Sequence, residues 1–133
     1  MSWNLAFFAF KQDVTVKDVS RAYYSACDGL EVEWKQDNAL SDLLFELNTI
    51  FPLAENYSSG IDQSPWSTDA HQGPGYLLVN VIYSRVEELR GILSDLGAKH
   101  HLIVYDPQQD KAWVEGEQLR KGTIMDRIKM FWI

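Results

Sequence analysis

The sequence holds one cysteine, Cys27, in 133 residues. No disulfide within the chain can brace the fold, and a reducing compartment is the simpler setting. Histidine is scarce: His71, His100 and His101 are the whole supply, and no Cys-x-x-Cys or His-Glu-x-x-His spacing occurs. That excludes the common metal-ligand motifs. Positive charge is in deficit, with 12 Lys and Arg against 19 Asp and Glu for a formal net charge of −7. Such a field repels nucleic acid and attracts basic surfaces. No apolar run approaches the ~20 residues that cross a bilayer, and Met1-Ser2-Trp3-Asn4 lacks the basic head of a secretory signal. These shortages point to a cytoplasmic protein with neither membrane nor nucleic acid as partner.

What the chain has in quantity is aromatic surface: 5 Trp, 6 Tyr and 6 Phe, too much for a chain that stays disordered. The length suits one domain over residues 1–133. Its fold class reads as α/β (α+β), a mixed sheet with helices packed on it. Residues 3–10 and 76–83 are short, nearly continuous apolar runs, as buried strands are. Residues 102–106 make a third strand, and 112–114 a short edge strand.

Helices are expected near 15–27, 39–51 and 84–97. Thr15 with Asp18 and Ser84 with Glu87 have capping-box spacing, and Gly29 and Gly97 stand where helices stop. In the second helix Leu40, Leu43, Leu44, Leu47, Ile50 and Phe51 recur at helical spacing before Pro52. Strand 76–83, helix 84–97 and strand 102–106 read as a βαβ unit with parallel strands. Residues 54–75, with Gly60, Pro65, Gly73, Pro74 and Gly75, read as a long irregular loop and the natural place for a binding surface. Residues 30–38 and 115–133 carry no decisive pattern.

Charge is distributed unevenly. Between Asp28 and Asp69 nine acids stand against Lys35 alone, a local charge of −8, while the rest of the chain sums to +1. Arg120, Lys121, Arg127 and Lys129 gather at the C-terminal end. They are too few to draw nucleic acid to an acidic body.

Catalytic chemistry finds no constellation. His100 and His101 are neighbours, which on a strand point to opposite faces and do not converge on one ion. Cys27 ends an apolar helical face and reads as a small buried hydrophobe. Ser58, Ser59 and Ser64 lack a nucleophile elbow, and Gly73-Pro74-Gly75 precedes a strand, where a phosphate loop would follow one. Glu87 and Glu88, and Asp106 and Asp110, are paired acids without a third partner. Glu87 reads as a capping acid, and Asp106 as the organiser of a turn. No catalytic residue, metal or cofactor is expected.

Three pieces taken together resemble a known group of proteins. They are Met1-Ser2-Trp3-Asn4-Leu5 with Phe7-Phe8, Ser64-Pro65-Trp66, and Leu102-Ile103-Val104-Tyr105-Asp106-Pro107-Gln108. In this order the chain resembles small bacterial α/β proteins of polymorphic toxin systems, some regarded as immunity proteins, including those of contact-dependent growth inhibition. The resemblance spans residues 3–108 and implies an α/β fold, and it transfers no partner. It brings no catalytic residue and no contact residue.

Two functional readings follow. In the first, an immunity protein occupies or covers the active site of a cognate toxin. A nuclease toxin presents a basic cleft, towards which an acidic inhibitor is steered. The candidate contacts are Glu31, Glu33, Asp37, Asp62 and Asp69, with Trp34 and Trp66 as aromatic anchors or as core. In the second, a small enzyme or ligand-binding domain uses a pocket beside loop 54–75 at the ends of the strands.

Overall fold

The computed structural model describes residues 2–10, 13–30, 38–51 and 65–121. Strand β1 (Ser2–Phe8) sets the architecture. Its alternation sends Trp3, Leu5 and Phe7 to one face and Ala6 and Phe8 to the other, all buried. A strand apolar on both faces belongs in the middle of a sheet. β1 accordingly pairs antiparallel with β3 (Tyr76–Ile82) on one side and β4 (Ile103–Asp106) on the other.

That insertion splits the expected βαβ unit, whose two strands are parallel as the sequence implies. Both β3 and β4 run antiparallel to β1, so they are parallel to each other but not adjacent. Helix α3 (Val86–Lys99) crosses over β1 to join them. Every pairing among the described strands is antiparallel, with β2 (Trp66–Gly73), β5 (Lys111–Val114) and β6 (Glu117–Gln118) completing the order β2-β3-β1-β4-β5-β6. The α/β class in its α+β form stands, and β3 is an interior strand as its apolar run requires. Segment 112–114 is not an edge, because β6 lies outside it.

Helices cover both faces. α2 (Ala39–Ile50) and α3 bury Leu40, Leu43, Leu47, Leu89 and Leu93 against Leu5, Phe7, Leu77, Val79 and Val81. α1 (Val16–Cys27) buries Val16, Val19, Ala22 and Ala26 against Phe8, Tyr76, Ile103 and Tyr105. Each fully buried large apolar side chain contributes about 1.5–3 kcal/mol.

The helix ends are partly as the sequence implies. Thr15 Oγ1 accepts from the Asp18 amide at 3.4 Å while Asp18 Oδ2 accepts from the Thr15 amide at 3.0 Å, and Gly29 leaves the helix at φ 75°. The Ser84–Glu87 box does not form. A 3₁₀ turn at Tyr83–Arg85 precedes α3, and Arg85 instead grips Glu88 at 2.6 Å. Gly97 does not stop α3 either, for the helix runs on to Lys99. Its role is close packing: a Cβ there would press into Val104 Cγ2. The exit falls to His101, at φ 56°. His100 and His101 therefore stand at the end of a helix, not on a strand.

The expected loop 54–75 contains β2, joined to β3 by a tight turn through Pro74 and Gly75. The β2 sequence alternates poorly and its pairing contains two register shifts. It is a strand because the outer edge of β3 requires hydrogen-bond partners. Ile50, placed on the buried stripe by its spacing, is 46% exposed, and Cys27 is exposed too.

Candidate functional site

Of the expected contact residues, Glu31, Glu33, Trp34, Asp37 and Asp62 lie outside the described residues. Asp69 stands in β2, at one edge of the sheet. Trp66 is corrected to core. It is 4% exposed, opposite Val81 in the sheet, and its indole donates to the Phe51 carbonyl at 3.1 Å. Its ring also meets Phe51 edge-on, with centroids 6.0 Å apart. A tryptophan at the start of a strand thus holds the end of α2 to the sheet, and offers little to a partner.

The described heart of the acidic stretch is α2. Leu40, Leu43 and Leu47 turn inward. The outer face carries Ser41, Asp42, Phe45 and Thr49, and the helix contains Asp42 and Glu46 with no Lys or Arg. Phe45 is 77% exposed. The sequence reading missed it, although a signal was present. It falls off the 40-43-44-47-51 stripe, between two acids, where a soluble helix ordinarily places a polar residue.

Glu46 is the fixed charge of this face. Lys99 Nζ donates to Oε1 at 2.6 Å and the His100 ring lies 2.7 Å from Oε2. Those hydrogen bonds, that from Lys99 foremost, hold its carboxyl below the usual glutamate range. At the other end of the helix Gln72 donates to Ser41 Oγ at 3.0 Å. α2 is tied at both ends and at its middle.

Among the described residues, several other reactive side chains have neighbours within the fold. His101 Nδ1 lies 2.6 Å from Glu115, and the His71 ring rests near Tyr76. Among the described residues, no three His, Cys, Asp or Glu gather into a possible metal site. Tyr105 donates to Asp110 at 2.7 Å, and burial above all pushes its phenol up to about 12. Burial, then a hydrogen bond with Cys27, pushes Tyr23 upward as well.

Asp106 organises its turn as expected, accepting from the Gln108 and Gln109 amides at 2.9 and 3.3 Å. Gln108 then does something the sequence did not disclose. Its side-chain amide brackets the Asn4 backbone, accepting from N–H and donating to C=O, each at 2.8 Å. The side chain acts as a substitute strand residue where the pairing of β4 with β1 has ended. Two of the sequence pieces behind the family resemblance, one holding Asn4 and the other Asp106 and Gln108, thus join in one structural clasp.

A hollow of about 410 Å³ lies at the β5–β6 end, lined by Phe10, Val14, Val114 and Leu119 with Asp13, Glu115 and Glu117. It stands far along the sheet from β2. No known protein family, curated protein or solved structure matches the chain. Among the described residues, no helix is long and apolar enough to cross a membrane.

Proposed function

We propose that this chain is an immunity protein that binds a cognate bacterial toxin in the cytoplasm and neutralises it by occupying or covering its active site. The observation that carries the reading is the charge of −8 concentrated between Asp28 and Asp69 in a chain that is otherwise nearly neutral. A concentrated acidic surface accelerates encounter with a basic partner and orients it before contact. A nuclease cleft, built to hold phosphates, is a partner of that kind. The family resemblance of residues 3–108 supports the same reading.

The test is copurification with the product of the adjacent gene, read as a stable complex and as rescue of growth. Reversal of Glu31, Glu33 and Asp37 to lysine together is expected to slow association and flatten its salt dependence, with the thermal melt unchanged. An unchanged association rate would make those acids a merely solvated face.

A further inference from the structure

We infer that Phe45 is the aromatic anchor of α2, entering an apolar pocket on the partner whose rim carries lysine or arginine. The inference rests on the reading above, that the acidic stretch meets a basic toxin, and names the contact at its centre.

Phe45 lies two residues from Leu43 and from Leu47, roughly 200° of helical rotation in either direction. With those two leucines fully buried, its ring points away from the sheet and stands 77% exposed. Ser41, Asp42 and Thr49, at helical distances of three and four, surround it with polar groups. A large apolar centre with a polar rim is how the strong points of protein interfaces are built.

The support beneath the ring is already rigid. Trp66 holds Phe51 at one end of the helix, Gln72 holds Ser41 near the other, and Lys99 and His100 hold Glu46 beside Phe45 itself. Little ordering remains to be done on binding, which favours affinity. Charge selects the occupant. Lys99 already answers Glu46, but Asp42 stands exposed beside the ring inside a stretch whose sequence carries −8, so the complementary surface is cationic around an apolar recess.

The experiment uses the full chain and the toxin domain identified by that copurification, with affinity from calorimetry and rates from stopped flow. Phe45→Ala is expected to weaken binding at least about tenfold, through faster dissociation, with association rate and melting temperature unchanged. Phe45→Leu should fall between the two. Tyr24, which is 64% exposed on α1 at the opposite face of the sheet, supplies the control. Tyr24→Ala should leave binding intact. A Phe45→Ala complex within twofold of the wild type would overturn the anchor while leaving the immunity reading standing, as would an equal loss from Tyr24→Ala. A wild-type chain that fails to bind the toxin domain would overturn both.

Discussion

Gly91 and Gly97 occupy the same helix in opposite surroundings. Nothing lies within 4 Å of a Cβ built on Gly91, whereas one on Gly97 would press into Val104 and Phe7. Helix propensity favours alanine over glycine by about 1 kcal/mol at either site. Gly91→Ala should therefore raise stability by about 0.5–1 kcal/mol. Gly97→Ala should lower it by about 1–2 kcal/mol, because overpacking a tight core outweighs propensity. Paired denaturant titrations read both signs. Gln108 supplies a second residue-scale case. Gln108→Ala removes the bracket on Asn4 and should cost about 1–2 kcal/mol. Gln108→Glu should cost more, since it sets a second carboxylate against Asp106 Oδ1, now 2.6 Å from the Gln108 side-chain nitrogen.

Between elements, the contact of Glu46 with Lys99 and His100 makes the joint of α2 to the end of α3 sensitive to pH. The folded state holds the Glu46 carboxyl below its usual range. Its contribution is therefore complete above the unfolded glutamate value, and is lost as pH falls through the lowered folded one. The melting temperatures of wild type and Glu46→Gln should differ at neutral pH and converge on acidification. A gap that stays constant down to pH 3 would show that the pair contributes nothing through its charge. The strands make a separate prediction. β1 is paired on both sides and buried on both faces, while β2 is an edge strand with an irregular register. Hydrogen exchange should find the amides of Leu5 to Phe8 among the slowest and those of Ser67 to Ala70 among the fastest in the sheet.

For the molecule as a whole, the proposed immunity function makes a prediction about salt. Surface charges act over about 8–10 Å at physiological salt, and the sequence concentrates −8 within residues 28–69. Association with a basic toxin should slow steeply between low salt and 0.5 M, while dissociation changes little. A salt-independent association rate would remove electrostatic steering from the account.

Local patterning was enough to read the α/β class, the three helices, the apolar strands and the Asp106 turn. Each depends on periodicity, capping or turn chemistry within a few residues, and such signals survive without knowledge of the neighbours. The rest depended on contacts distant in sequence. β1 separates β3 from β4 because a strand with two apolar faces is best satisfied in the middle, a preference that shows only once all the strands compete for places. β2 is a strand because β3 has an edge to pair. Gly97 is small because Val104 and Phe7 lie against it, though in sequence it resembles a helix stop. Of the two roles the sequence left open for Trp66, burial is the one the fold takes, and Phe45, off the buried stripe, stays exposed. Composition says how much apolar surface must be hidden. Which side chain remains outside is decided by where the other elements leave no room.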